Sequence, residues 1–258
     1  MSRIKQQFDL NGKVAIVTGA SKGIGESIAW GLAEMGATVV VSSRKQEAVN
    51  AVAQKLVDAG HKATGKACHM GDLEQVAALL EYTKATHGGV DIVVNNAATN
   101  PTFGPLEETD SDVFDKIMQV NVKGPLELCK QALPSMVERG GGSIVNISSV
   151  EGMKPTFGLG LYSTSKAALI MLTQNMAKEW GNRGVRANVV CPGLVQTKFS
   201  AALWKNEKIL DTYQKHLPLG RMAQPDEMAG LAVFLASPAS SYLTGAVVTA
   251  DGGYMLAG

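Results

Sequence analysis

Residues 143–166 read SIVNISSVEGMKPTFGLGLYSTSK. The first five are short, β-branched and free of charge, the pattern of a strand buried on both faces. The strand runs out at Ser148 and Ser149, and a loop with Gly and Pro follows. Residues 162–180 then carry Ala, Leu and Met at helical spacing. Tyr162 and Lys166 stand four apart, so on a helix they point the same way, one turn apart. A phenol titrates near about 10 and is a poor acid or base at neutral pH, but a neighbouring ammonium favours its ionised form. Ser149, at the end of the adjacent strand, would hold a carbonyl oxygen beside that phenol. Such a set moves a proton on or off a carbonyl or alcohol oxygen. Alone, Tyr-x-x-x-Lys reads better as an exposed amphipathic pair, so the weight falls on the rest of the chain.

Toward the N-terminus, Val14–Thr18 (VAIVT) is an apolar strand that runs straight into GASKGIG. Gly19, Gly23 and Gly25 have G-x-x-x-G-x-G spacing, a helical stretch covers residues 24–35, and Gly36 ends it at the C′ position. Free N–H groups and the helix dipole face such a turn, and its glycines let a dinucleotide pyrophosphate come close. The competing reading is a tight turn whose glycines serve packing; the flanking strand and helix favour the nucleotide. A second strand, residues 38–42, ends in SSRK. An acid there suits a ribose 2′-hydroxyl and a base suits a 2′-phosphate; the chain has Ser43 and then Arg44. Lys22, in the glycine turn, reaches toward the same place, and two converging cations are what phosphate recognition wants. Two solvated surface cations are the competing reading, a fair one for Lys22 and a weaker one for Arg44; NADP(H) is favoured over NAD(H).

The alternation continues. A helical pattern over residues 49–58 stops at Gly60, and residues 63–68 form a strand. Asp72 opens the next helix, with Gln75 three residues on as a capping box. A strand at residues 91–94 ends in NNAA, whose Asn side chains tie loops together and whose alanines leave room for a flat ligand; a plain turn is an equal reading. Residues 111–139 are helical but interrupted at Gly124-Pro125. Pro125 has no N–H to give the carbonyl of Asn121, which is left free to hold a water, unless the kink serves packing alone. Residues 185–190 are another buried strand, followed by CPGLVQT with its Pro192-Gly193 turn. Residues 198–219 are longer, polar and irregular, with isolated Phe199, Leu203 and Trp204, the character of a lid. Gln224-Pro225-Asp226-Glu227 starts a helix to residue 236, and residues 246–250 make the last strand.

Composition narrows the class. With 258 residues and 45% hydrophobic content, the chain fills one α/β domain, residues 1–258. A net charge of +1 leaves no electrostatic footprint for nucleic acid or an anionic membrane. Cys68, Cys129 and Cys191 are odd in number and set in apolar segments, as in reduced core residues. His61, His69, His87 and His216 show no ligand spacing, so no metal site is expected. No apolar run approaches the ~20 residues that span a bilayer, and the start lacks a signal peptide's apolar core. A cytoplasmic protein is the expectation.

Strands alternating with helices make a doubly wound parallel α/β sheet, about seven strands here, with helices on both faces. Ligands bind such sheets outside the strands' carboxyl ends. GASKGIG, SSRK, NNAA, Ser149 and PGLVQT all follow strand C-termini, so they line one crevice. That convergence lifts the Tyr/Lys pair into a site.

TGASKGIG (18–25), NNAA (95–98), NVKG (121–124), Ser149 thirteen residues before Tyr162, YSTSK (162–166) and CPGLVQT (191–197) together resemble the short-chain dehydrogenase/reductases over essentially the whole chain. GATVVVSSRK and HGGVDIVVNNAATNP are also similar to the NADPH-dependent carbonyl and retinal reductases of the member 4 type. The resemblance implies a single-domain Rossmann-like fold and Tyr162 as acid/base. It also implies that Lys166 lowers the pKa of Tyr162 and bonds the nicotinamide ribose, that Ser149 holds the substrate oxygen and that Asn121 completes a proton relay. Asn96, Pro192, Gly193, Val195 and Thr197 fall by the nicotinamide half. Gly19, Ser21, Lys22, Gly23, Ile24, Gly25, Ser43 and Arg44 fall by the phosphates and adenosine ribose. Two departures stand out: NNAG is NNAA here, and the acid that often contacts adenine is His69, leaving a backbone contact from Met70.

The implied reaction is hydride transfer between NADP(H) and a carbonyl or alcohol. Pocket walls are Thr99, Asn100, Glu151, Met153, Leu159, Phe199 and Trp204, with a substrate-loop insertion at about 194–219. Glu151 selects a polar or cationic group, or is a solvated loop acid. The partners are a small carbonyl or alcohol substrate and further copies of the chain, a homotetramer by resemblance, with Tyr254, Met255 and Leu256 at an interface. The alternatives are an epimerase or dehydratase with no net redox change, and a regulatory nucleotide-binding module. Members of the regulatory kind lose the Tyr or Lys, and both are present here.

Overall fold

Runs such as VAIVT and IVVN have no polar face to show water, so they fold where both sides are covered. In the computed structural model, which describes residues 2–205, 207–215 and 217–256, they become β1 (Val14–Thr18) and β4 (Ile92–Asn95). The other strands are β2 (Thr38–Ser43), β3 (Ala63–Ala67), β5 (Gly142–Ile147), β6 (Val185–Pro192) and β7 (Val247–Ala250). They form one parallel seven-stranded sheet in the order β3-β2-β1-β4-β5-β6-β7. His216 and Met1 lie outside the described residues, as do the last two residues of the expected domain.

The helices are α1 (Arg3–Gln7), α2 (Gly23–Glu34), α3 (Gln46–Asp58), α4 (Leu73–His87), α5 (Ser111–Met118), α6 (Gly124–Glu138), α7 (Gly160–Trp180), α8 (Ala201–Trp204), α9 (Glu207–Lys215) and α10 (Asp226–Ala236). Strand side chains alternate between two cores. Ala15, Val17, Val39 and Val41 pack with α2, α3 and α10, whereas Ile16, Val40, Val93 and Ile144 pack with α4, α6 and α7. Each of these valines and isoleucines contributes roughly 1.5–3 kcal/mol by leaving water. The chain leaves β1 for β2 on one side and returns to β4 on the other, so the connections diverge there and open a crevice above the sheet.

At the other end of the sheet, Asp91 is buried and accepts from Val14 N–H (2.8 Å), Arg139 Nη2 (2.7 Å) and Lys13 Nζ (3.3 Å). Between β4 and β5, Asn95 and Asn146 are register partners, and Asn95 Nδ2 donates to Asn146 Oδ1 at 2.8 Å. Asn146 Nδ2 donates in turn to Thr173 Oγ1 on α7 (2.8 Å). This polar chain sits in otherwise apolar surroundings.

Three expectations need correcting. Residues 198–219 are not irregular: the segment holds α8 and α9, helices of four and nine residues, too short for their period to stand out in a polar stretch. Gln75 does not complete a capping box. Asp72 accepts from the Glu74 and Gln75 N–H groups (both 3.1 Å), but the Gln75 side chain reaches His69 N–H (3.0 Å) instead of the Asp72 N–H. The break at Gly124-Pro125 is not a simple kink; Gln119–Lys123 form a π-helical turn in which Gly124 N–H bonds the Gln119 carbonyl.

Candidate active site

The glycine turn is built by contacts that leave no room for side chains. Gly19 and Gly23 have φ of 65° and 61°, where a Cβ is strained. A Cβ on Gly19 would stand 2.8 Å from the Ala97 Cα, and one on Gly25 would collide with Asn96 Nδ2. Asn96 holds this junction: its Nδ2 donates to the carbonyls of Thr18 (3.0 Å) and Gly19 (3.2 Å). Thr18 Oγ1 accepts from Asn96 and Ala97 N–H, both at 3.1 Å. Lys22 precedes α2 in extended conformation without a side-chain cap, so the first helical N–H groups stay open. Ser21, Ile24 and Ser43 are half-buried around this turn, while Lys22 and Arg44 are exposed. Neither cation makes an ion pair among the described residues. The donor set, the open N-terminus and the cradle fit a dinucleotide.

Ser149 ends the strand side of the site and starts a 3₁₀ turn, Val150–Gly152, its Oγ accepting from Glu151 N–H at 3.1 Å. Tyr162 is half-buried and Lys166 fully buried on α7. Lys166 Nζ donates to the Ile147 carbonyl (2.8 Å) and sits 5.5 Å from the centre of the Tyr162 ring. Burial pushes Lys166 down to about 8, with Cys191 pulling the other way. Burial also drives the Tyr162 phenol well above its ordinary value, against a lowering hydrogen bond with Ser149; the charges of Glu151 and Cys191 add to the rise. This is opposite to the lowering expected from Lys166. The ammonium lies over the ring face, and desolvation dominates.

Asn121, in the π turn, is 1% exposed. Its Oδ1 accepts from Thr99 N–H (2.8 Å), and its Nδ2 donates to the Thr99 carbonyl (3.0 Å) and Ser165 Oγ (3.0 Å). Ser165 donates to the Tyr162 carbonyl at 2.7 Å, so Asn121 joins the NNAA loop to the tyrosine's helix. The loop after β6 closes the other side. Gly193 N–H donates to the Ala250 carbonyl (3.0 Å), and Val195 bridges Ala223. Thr197 comes within 3.3 Å of where a Gly23 Cβ would stand. Trp204 is fastened by its indole N–H to the Thr197 carbonyl (2.8 Å). Phe199 packs its ring 6.0 Å from that of Tyr162, Leu159 is half-buried just before α7, and Met153 is exposed.

Met70 is buried with its carbonyl against Gly124. His69 turns away: its Nδ1 accepts from Gly71 N–H at 3.1 Å, so the side chain shapes its own loop. No role was read for Thr18, Ser165, Asn146 or Thr173, and of Asn95 only a general tie between loops. Thr18 alone had a visible signal, a hydroxyl on the last strand residue before the glycines. Cys68, Cys129 and Cys191 are buried and unpaired, and among the described residues no cluster of metal-ligating side chains forms.

Known proteins resemble the chain over nearly its whole length. A family model described as "Enoyl-(Acyl carrier protein) reductase" matches residues 19–255. "Dehydrogenase/reductase SDR family member 4" of Oryctolagus cuniculus is 42% identical over 252 residues, 98% of this chain and 97% of that protein. A gluconate 5-dehydrogenase from Burkholderia cenocepacia, solved with NADP and tartrate, superposes with a TM-score of 0.95 at 34% identity, covering 99% of this chain and 100% of the other. A 7 alpha-hydroxysteroid dehydrogenase solved with NADH and 7-oxo glycochenodeoxycholic acid gives 0.93 at 33% identity, covering 98% of each.

Proposed function

The chain belongs to the short-chain dehydrogenase/reductase family and is a hydride-transferring oxidoreductase, and from that premise we propose that it reduces a ketone or aldehyde to an alcohol with NADPH, reversibly. The observation that carries this reading is the grouping of Ser149, Tyr162 and Lys166, together with a glycine cradle next to two exposed cations, Lys22 and Arg44, that make no ion pair among the described residues. A bound nicotinamide dinucleotide would supply the hydride. Arg44 and Lys22 would hold its 2′-phosphate, Asn96 and the glycines the space for its pyrophosphate, and Val195 and Thr197 the wall beside its nicotinamide half. Roles for Ser21, Ile24, Ser43, Met70, Pro192 and Gly193 are positional: they set the loops against it.

Ser149 donates its hydroxyl to the substrate carbonyl oxygen and holds it next to Tyr162. Burial keeps Tyr162 protonated, so the phenol is the acid that delivers a proton to the oxygen as negative charge develops there. Lys166, poised near neutrality by burial, returns a proton toward the phenol. Asn121 holds its side chain in the loop scaffold, and its carbonyl, with no N–H from Pro125, is the place for a relay water. In reverse, the same groups take the alcohol's proton. Residues 194–219, apart from the undescribed 206 and 216, would act as the lid, bringing Phe199 over Tyr162. The reading includes a homo-oligomer; Leu256, 86% exposed, is the apolar C-terminal surface for it, whereas Tyr254 already stacks on Tyr213.

The test follows loss of reduced nicotinamide with NADPH and NADH in parallel, over aldehydes, α-diketones, ring ketones and β-ketoacyl esters, beside Tyr162→Phe. Turnover with NADPH, weak with NADH, and about 10²–10⁴-fold lower in the variant is expected. Better use of NADH overturns the cofactor assignment. Binding of both cofactors without their consumption brings forward a non-redox or regulatory role.

A further inference from the structure

Glu151 stands two residues past Ser149, and its surroundings are those of a binding group without its ligand. Its N–H is tied to Ser149 Oγ at 3.1 Å, which fixes it against the site. Oε1 accepts from the Thr156 hydroxyl at 3.0 Å. Oε2 is shut off from solvent and has no hydrogen-bond partner. Buried polar groups are hydrogen-bonded in the great majority of cases, so an orphan oxygen beside a reactive centre asks for a donor from outside the chain. None of the ion pairs among the described residues involves this carboxylate.

Burial is what chiefly raises the phenols of Tyr162 and Tyr213, and the Glu151 charge adds a smaller push in the same direction to each. Tyr213 is fixed by its hydroxyl on Leu194 N–H (3.0 Å) and by stacking on Tyr254 at 4.7 Å. Phe199 lies 6.0 Å from the Tyr162 ring. A carboxylate with a spare oxygen, two residues from Ser149 in a site that also holds the rings of Tyr162 and Phe199, suits an alkylammonium, its charge and N–H to the carboxylate and its alkyl groups to the rings.

We propose that Glu151 recognises a protonated amine on the carbonyl substrate, so that the site takes amino ketones. This rests on the assignment of Tyr162 and its neighbours as the carbonyl site. The reaction is still carbonyl reduction: hydride from NADPH to the carbonyl carbon, the Tyr162 proton to the oxygen, the ammonium unchanged. The contact has a second effect. A bound cation cancels the field of Glu151 at Tyr162 and makes the phenol a stronger acid, so binding and proton transfer are coupled.

The test compares N-methyl-4-piperidone, cationic at pH 7, with its neutral isostere 4-methylcyclohexanone. The expected result is a kcat/KM at least tenfold higher for the piperidone, the ratio falling to near one in Glu151→Gln. Wild type that treats the two ketones alike, or a ratio that Glu151→Gln leaves intact, overturns the proposal. Should the variant not fold, the wild-type ratio decides alone. Calorimetric binding of N-methyl-4-hydroxypiperidine against 4-methylcyclohexanol to the NADP-loaded protein separates the two levels. Glu151-dependent preference without turnover sinks the reductase reading and keeps the amine site. Tyr162-dependent turnover without preference does the reverse.

Discussion

At the scale of single residues, burial sets the chemistry more than proximity does. Lys166 and Tyr162 were legible as a pair because helical spacing alone puts them on one face. The direction of the phenol's shift was not legible, since it depends on how much water the fold excludes. The amine carries a testable consequence for stability. Its folded value is lowered to about 8 from an ordinary 10.5, so between these the unfolded chain binds more protons and stability rises with pH. Below about 8 the buried ammonium costs on the order of 3 kcal/mol, and that cost fades toward pH 10.5. Denaturant unfolding of wild type and Lys166→Met at pH 7 to 10 should therefore show the difference shifting toward wild type by about 2 kcal/mol. The raised thiols of Cys68 and Cys129 are common to both proteins and largely cancel, whereas Cys191, coupled to Lys166, rises further without the ammonium. A difference that stays flat with pH would show that Lys166 is not charged at a cost. The same value sets the chemistry's direction: alcohol oxidation should accelerate as pH rises through about 8, carbonyl reduction should not.

At the scale of elements, the π turn between α5 and α6 is the piece whose geometry the site cannot do without. It places Asn121 so that one carboxamide serves both backbone groups of Thr99 and the hydroxyl of Ser165. Pro125→Ala restores an N–H and allows an ordinary α-helical bond to the Asn121 carbonyl. The expected outcome is a kcat lowered about tenfold with an altered solvent isotope effect and cofactor affinity little changed. Unchanged kcat and isotope effect would reduce Pro125 to packing. Strands were readable to within a residue or two, because a parallel sheet demands continuous β-branched runs. The edge strand β3 was read from alternation alone, and all five of its residues stay half-exposed. Helices α8 and α9 were missed for the opposite reason: α8 is one turn and α9 only nine residues, too short for an amphipathic face to stand out in a polar stretch. The π turn was half legible; Pro125 announces a break, but nothing in the sequence says that the break absorbs one residue rather than bending.

For the whole molecule, the sheet gathers loops from β1, β2, β4, β5 and β6 at one end, so a dinucleotide would tie together elements distant in sequence. Saturating NADP at about a hundred times its Kd should raise stability by ~2.7 kcal/mol and the Tm by roughly 5–10 °C. Arg44→Ala should erase most of that shift and weaken NADP binding roughly 10–100-fold, with NAD binding nearly unaffected. Equal loss for both cofactors would place Arg44 elsewhere on the dinucleotide. The convergence of loops was legible in the sequence once strands and helices alternated, whereas the hydrogen bonds that stitch them were not, because they join residues as far apart as Asn121 and Ser165. The Asn95–Asn146–Thr173 chain adds a different kind of information. Neighbouring strands of valine and isoleucine are nearly interchangeable along their length, and hydrophobic burial alone would let β5 slide against β4 at small cost. With asparagines facing each other on the two strands, a slide by one residue turns Asn146 away from Asn95 and strands both amides in oil. The pair works as an alignment mark, making mispaired sheets costly before the active site exists to reward the correct one.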